Sequence, residues 1–136
     1  MDFSDFELFA QKNTSSAAMV KKHLGAELSH TQSGAPLVEG HAVSLSDTQG
    51  IVFLAVLKGK GSIGVDAESL SRKPPRGFCD IYEWTDLEAY CKATGENLFR
   101  TVKSRPNTAD KSVKMTRFEL NGCAVSVCVT PPLTNK

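Results

Sequence analysis

The expected architecture follows from two stretches, Gly64-Val65-Asp66-Ala67-Glu68 and Trp84-Thr85-Asp86-Leu87-Glu88-Ala89-Tyr90-Cys91-Lys92-Ala93-Thr94-Gly95. The first predicts a strand, and the alternation of side chains along a strand puts Asp66 and Glu68 on one face. The second predicts a helix with Glu88 and Lys92 on one side, because they lie four residues apart. Three carboxylates meeting there would suit a hard divalent cation, beside an ammonium group able to meet a phosphate.

Size and composition are those of one soluble globular domain: 136 residues, 40% of them hydrophobic and 23% charged. The longest strongly apolar run, Ile51 to Leu57, is too short to span a bilayer. The acidic N-terminus lacks the positive start of a secretory signal, so we expect a cytoplasmic protein with no membrane partner. The net charge of +1 gives nucleic-acid binding no support.

Four cysteines, Cys79, Cys91, Cys123 and Cys128, form no Cys-x-x-Cys pair and lack the spacing of a zinc knuckle. We expect reduced and mostly buried thiols. The three histidines are scattered and show no metal-ligand spacing with one another.

The first part of the chain predicts a helix over residues 14–25, which Thr14, Ser15 or Ser16 can cap and Gly25 ends. A polar turn region follows over 29–36. Alternation over 41–46 predicts a strand, 47–50 a turn, and the apolar run 51–57 a buried strand.

The second part predicts a strand over 62–68, a loop over 69–77 and a helix over 83–93, with Trp84 as a core aromatic under the start of that helix. A further loop leads to strands over 113–120 and 123–129. These strands are joined by Asn121-Gly122, a strong hairpin signal because both residues tolerate positive φ. No sequence repeat is evident. The predicted fold class is α+β, an antiparallel sheet packed by one or two helices.

The order of these motifs resembles the 4'-phosphopantetheinyl transferase superfamily, and its surfactin-type branch more than the short holo-acyl-carrier-protein synthases. The resemblance covers residues 34–131, and the helix motif Trp84 to Gly95 is its most specific part. It implies a single 4'-phosphopantetheinyl transferase-like domain over 1–136. Within it, 1–60 would be a reduced N-terminal part and 61–131 the half with the metal site.

Members of this family transfer the phosphopantetheine arm of coenzyme A to a serine of an acyl or peptidyl carrier protein. By resemblance, Asp66, Glu68 and Glu88 would hold Mg²⁺ against the pyrophosphate. Glu88 would also accept the serine proton, directly or through water, and Lys92 would neutralise charge on the phosphates. The coenzyme contacts would come from the residues Ser46, Lys92, Arg72 and Lys73.

Several positions depart from the family pattern. Asp47 stands where many members have a histidine that contacts the coenzyme, and a carboxylate there would repel a phosphate. Ala35 and Leu87 stand where lysines are common. The segment between the two motifs is short and the N-terminal part is reduced.

Three replacements for the lost phosphate contacts stay open. One is the helix group Lys21, Lys22 and His23. Another is the loop group Arg72, Lys73 and Arg76. The third is a second subunit, which would make the protein a homo-oligomer.

Two functions are therefore compatible with the sequence. One is an active Mg²⁺-dependent transferase, which the intact acids and Lys92 favour. The other is a catalytically degenerate member that serves as a carrier-binding or regulatory subunit, which the departures favour. A basic stretch predicts either a docking surface for the acidic helix of a carrier or a solvated loop. It contains Arg100, Lys103, Arg105, Lys111, Lys114 and Arg117 against one acid, Asp110.

Overall fold

The computed structural model of the chain describes residues 1–104 and 112–132, and within them it has two three-stranded antiparallel sheets, a two-stranded ribbon and three helices. The first part contains β1 (Phe6–Lys12), α1 (Ser16–Leu24), β2 (Ser29–His30), β3 (Pro36–Leu37), β4 (Val43–Thr48) and β5 (Ile51–Leu57). The second part contains β6 (Ser62–Ser69), α2 (Ile81–Thr94), α3 (Leu98–Ser104), β7 (Lys114–Leu120) and β8 (Cys123–Thr130). The α+β class is confirmed, whereas the single sheet that we expected is wrong.

The two large sheets repeat one plan. Each half contains a strand, a helix and a hairpin in that order, with the ribbon β2–β3 added in the first half and α3 in the second. In each half the last strand lies in the middle of its sheet, giving the orders β1-β5-β4 and β6-β8-β7. The two hairpins turn through Gln49-Gly50 and Asn121-Gly122, and all four residues have positive φ. The halves are thus structural repeats without a detectable sequence repeat.

Alternation along the central strands explains the layers. One face of β5 (Ile51, Phe53, Ala55 and Leu57) packs in a common core against β6 and β8 of the other sheet. Its opposite face packs against Met19 and Val20 of α1. Since α2 covers the outer face of the second sheet through Ala89 and Ala93, the order of layers is helix, sheet, sheet, helix. This double burial explains why all seven residues of β5 are buried.

The edge strands β4 and β6 lie side by side, linked by side chains. The Val65 amide donates to Ser44 Oγ at 3.0 Å, and the Ala67 amide donates to Ser46 Oγ at 3.1 Å. These bonds advance together along both strands, so β4 and β6 run in the same direction. We call this boundary the β4–β6 seam.

The opposite edges are also bridged. The ring of Phe3 stacks on Phe6 and lies 5.3 Å from that of Phe118, while Lys114 forms an ion pair with Asp5. The residues just before β1 therefore close the side of the molecule opposite the β4–β6 seam.

The helix α1 and the second hairpin are confirmed. Ser15 caps α1 by accepting from the Ala18 amide at 3.1 Å, and Gly25 ends it with φ of 62°. The predicted strand over 41–46 is shifted, because pairing with β5 extends β4 to Thr48. The expectation of one helix and a hairpin for the N-terminal part is wrong, since it omitted β1. The predicted loop after α2 is also wrong over α3.

All four cysteines are free, and three of them are buried, so the expectation of mostly buried thiols is confirmed. Within the described ranges, no helix is long and apolar enough to cross a membrane.

Candidate functional site

The candidate site lies on the face of β6 that α2 covers. Inward-facing Val65 and Ala67 fill the core, so Gly64, Asp66 and Glu68 face the helix. Asp80 caps the start of α2 by accepting from the Glu83 amide at 2.9 Å, and Gly95 ends it with φ of 76°. These boundaries put Glu88 and Lys92 over β6.

Glycine at position 64 allows a very close approach. A Cβ there would lie 2.1 Å from the carbonyl oxygen of Ala89 and 2.7 Å from the amide nitrogen of Ala93. With any side chain at this position, α2 would be pushed away from β6. Gly64 therefore determines how near the helix carboxylate comes to the strand carboxylates.

The three predicted metal ligands converge. One carboxylate oxygen from each of Asp66, Glu68 and Glu88 lies within 4.8 Å of the other two. Like charges this close repel one another, so the cluster is stable only with a proton or a cation among them. An all-oxygen set of carboxylates suits Mg²⁺ or another hard divalent cation.

Asp66 is the buried member of the cluster, with 5% of its surface exposed. Burial first, and then the Glu88 carboxyl, raise the pKa of Asp66 to about 8, against the opposing effects of Lys92 and Ser46. Its Oδ2 has no hydrogen-bond partner in the described part of the chain. When Asp66 is protonated, it can donate to the Glu88 carboxyl. A buried, unpaired carboxylate oxygen facing two other carboxylates fits a metal ligand.

Lys92 links the site to the β4–β6 seam. Its Nζ donates to the carbonyl oxygens of Leu45 at 3.0 Å and Val65 at 2.9 Å, and it lies 3.8 Å from Asp66 Oδ1. Ser46, which we predicted to contact the coenzyme, donates to the same Asp66 oxygen at 3.5 Å. Both residues thus hold the strands in place around the acids, and one Lys92 donor is left for another acceptor.

The two loop residues predicted for the coenzyme differ in position. The Arg72 guanidinium forms an ion pair with Glu68 Oε2, one turn along the chain. Lys73 is exposed and does not line the cleft next to the acids. Of this pair, only Arg72 reaches the cluster.

A cleft of about 1210 Å³ opens beside the acids, between the β4 side of the first half and α2. It is lined by the predicted segment Gly34-Ala35-Pro36, by His30 and His41, and by Asn97 at the start of α3. Its described lining contains one lysine or arginine, Lys92, and five carboxylates, from Asp47, Asp66, Glu68, Glu88 and Glu96. The cleft as a whole therefore favours cations unless a metal offsets its charge.

A polar network that we did not predict from the sequence lies on another side of α2. Buried Asp86 accepts from Ser126 Oγ at 2.6 Å and from Arg117 Nε at 2.8 Å, and Thr85 Oγ1 lies 2.7 Å from Ser126 Oγ. The network ties α2 to β7 and β8. The position of Asp86 among buried residues of α2 could have indicated a buried acid. Its partners Arg117 and Ser126 could not be predicted, because they depend on the strand register.

Trp84 is only half-buried, so its assignment as a core aromatic is wrong. Its ring meets Phe78 edge-on at 5.1 Å, because the loop before α2 covers it in place of a sheet.

The described residues of the basic stretch fall into two groups, one in ion pairs and one exposed on α3. Lys114 and Arg117 form ion pairs with Asp5 and Asp86, whereas Arg100 and Lys103 are exposed on α3 beside Phe99, which is 80% exposed. Arg105, Lys111 and Asp110 lie outside the described residues. A docking surface on the described residues would therefore be confined to α3.

No protein-family model matches this chain, and no curated protein matches its sequence. The assignment to the 4'-phosphopantetheinyl transferase superfamily stays a prediction that rests on the motif residues.

Proposed function

We propose that this protein is a Mg²⁺-dependent transferase that moves the 4'-phosphopantetheine arm of coenzyme A to a serine of an acyl or peptidyl carrier protein. The observation that carries the proposal is the buried Asp66 Oδ2, which has no hydrogen-bond partner among the described residues and lies in a cluster with the Glu68 and Glu88 carboxylates. These acids lie in the order and on the elements that the family resemblance requires. They also border a cleft large enough for an extended ligand.

The metal would be held by Asp66, Glu68 and Glu88, and when bound it would neutralise charge on the pyrophosphate of the coenzyme. The cluster fits such an ion because a cation relieves the repulsion among the three carboxylates. Phosphoryl-type transfer needs this charge compensation more than covalent catalysis.

The protein's own residues would position the reactants and take the proton. The Oγ of the carrier serine attacks the β-phosphorus of the coenzyme, and its proton passes to Glu88, directly or through water. The new serine–phosphorus bond replaces the bond to the bridging oxygen, and 3',5'-ADP leaves with that electron pair. Lys92 would direct its remaining donor to a phosphate oxygen, while its two carbonyl bonds fix its position.

The cleft lies between the two halves of one chain. A second subunit is therefore not needed to form its walls, and a homo-oligomer remains only a prediction.

A second candidate is a degenerate family member that binds a carrier without transferring the arm. Two observations favour it. The described lining of the cleft has five carboxylates against Lys92, and Arg72 already occupies Glu68. Both disfavour an anionic coenzyme in the absence of metal.

The deciding experiment incubates the full chain with coenzyme A, Mg²⁺ and apo-carriers of fatty-acid, polyketide and peptide type, and measures carrier mass. We expect one carrier to gain the mass of the arm. Asp66→Asn and Glu88→Gln should abolish the gain and Mg²⁺ binding by calorimetry. Glu39→Gln, an exposed acid outside the cleft, is the matched control and should leave both unchanged.

Three outcomes separate the candidates. Labelling that persists in both site variants contradicts the assignment of these acids. Binding of Mg²⁺ and a carrier without labelling favours the degenerate member. A chain that binds neither Mg²⁺ nor coenzyme A contradicts the transferase proposal.

A further inference from the structure

Arg72 lies at the boundary between the acidic cluster and the loop that follows β6. Its guanidinium pairs with Glu68, whose side chain is 16% exposed, while 47% of the Arg72 side chain faces solvent. The Arg72 amide donates to the Ser69 carbonyl at 3.0 Å, and the neighbouring Leu70 amide donates to the Gly122 carbonyl at 3.0 Å. The backbone is therefore anchored, and the side chain is the part that can move.

The ion pair competes with a metal. A divalent cation bound by Glu68 would stand close to the guanidinium and repel it, because both are positive. Glu68 is also the only member of the cluster with an arginine partner in the described structure. Binding of a cation thus weakens the attachment of Arg72, and the attachment of Arg72 weakens binding of the cation.

The site needs a cation for phosphate that the cleft lining does not supply. Lys92 has already committed two donors to carbonyl oxygens. Of the alternatives, Lys21 pairs with Glu27 and Lys22 donates to Gln11, both on the half of the molecule away from α2. Arg72 is next to the acids, and a guanidinium can bind two oxygens of a phosphate at once.

We propose that Arg72 is a metal-released phosphate ligand: Glu68 holds it when no cation is bound, and a bound cation frees it for the phosphates of the anionic substrate. The metal and the anion then bind cooperatively, because each removes an obstacle to the other. This inference rests on the metal site of the proposed function. It adds an order to binding, in which the acidic cleft accepts an anion only after the cation.

The test is calorimetry on the full chain, with Mg²⁺ titrated alone and coenzyme A titrated with Mg²⁺ or with EDTA. In the unmodified protein we expect Mg²⁺ to raise coenzyme A affinity by about tenfold or more. Arg72→Gln should bind Mg²⁺ alone about threefold to tenfold more tightly and coenzyme A with Mg²⁺ about tenfold more weakly. Lys12→Gln, which removes an exposed positive charge from β1 and lies outside the cleft, should change neither.

The readings distinguish this inference from the proposed function. If Arg72→Gln, folded by circular dichroism, leaves either affinity unchanged, Arg72 is not a released ligand, while the metal site stands. If the unmodified protein binds no Mg²⁺, the metal site and this inference are both overturned. Arg72→Lys keeps the charge but loses the two-pronged geometry, so intermediate coenzyme A affinity supports a direct phosphate contact.

Discussion

The backbone of Ala89 on α2 lies so close to Gly64 on β6 that a Cβ at position 64 would be 2.1 Å from the Ala89 carbonyl oxygen. The obstacle is backbone, so it cannot turn aside as a flexible side chain could. Every distance between the helix carboxylate and the strand carboxylates depends on this contact.

Gly64→Ala should therefore separate α2 from β6. We expect the free energy of unfolding in urea to fall by about 3 kcal/mol, as for other overpacked core sites. Mg²⁺ affinity should fall as well, because Glu88 moves with the helix. In the control Gly34→Ala, the added Cβ meets open space and only the positive φ of 92° is strained, for about 1 kcal/mol. Equal losses in both variants would show that the close contact is not important.

The pKa of Asp66 predicts how stability depends on pH. A carboxyl whose pKa rises from 3.8 to about 8 on folding binds more protons in the folded state than in the unfolded state. Stability of the metal-free protein should therefore fall as pH rises from about 4 to about 8. Thermal unfolding in EDTA should show this decline, and Asp66→Asn should reduce it. Saturating Mg²⁺ should restore stability at pH 8, and a decline that is unaffected by Asp66→Asn would rule out this group as its cause.

The Asp86 network predicts a stability effect separate from metal binding. Asp86→Asn removes the charge that Arg117 and Ser126 contact, and we expect a loss of about 2 kcal/mol in urea unfolding. Mg²⁺ affinity of the folded protein should stay within about twofold, because the network contacts β7 and β8 rather than the cluster. The control Asp5→Asn breaks an exposed ion pair and should lower stability by at most about 1 kcal/mol.

For the proposed transferase, we predict that the exposed residues of α3 form the docking surface for the carrier protein. Arg100→Glu with Lys103→Glu should slow carrier labelling by about tenfold and weaken its dependence on salt, since exposed charges act chiefly on association rates. Coenzyme A affinity should not change. The matched double reversal Lys12→Glu with Lys22→Glu, on the other half, should leave labelling unchanged. Equal slowing by both pairs would indicate a general charge effect.

Local patterns account for much of what could be predicted. The apolar run of β5, the Asn121-Gly122 turn and the caps of α1 each act within a few residues, so the sequence reveals them directly. Because side chains alternate along a strand, Asp66 and Glu68 could be predicted to share one face of β6. Glu88 lies close to them because α2 crosses that same face.

Features that depend on distant partners were not predictable. The apolar pattern of β5 does not say how many strands pair with it, so β1 was overlooked. α3 has seven residues, too few for a clear period. The contact of Asp86 with Ser126 depends on the strand register, and the pairing of Arg72 with Glu68 depends on a turn that composition alone shows only as loop.

In the two sheets and the ribbon, every pair of hydrogen-bonded strands lies wholly before or wholly after the turn at 58–61. A chain severed between Gly59 and Lys60 would break none of these ladders. The two fragments would associate through the shared apolar core, the hydroxyls of Ser44 and Ser46, and Lys92. Asp66, Glu68 and Glu88 would all lie on one fragment, and the β4 wall of the cleft would lie on the other, so the complete cleft would form only when the two fragments associate.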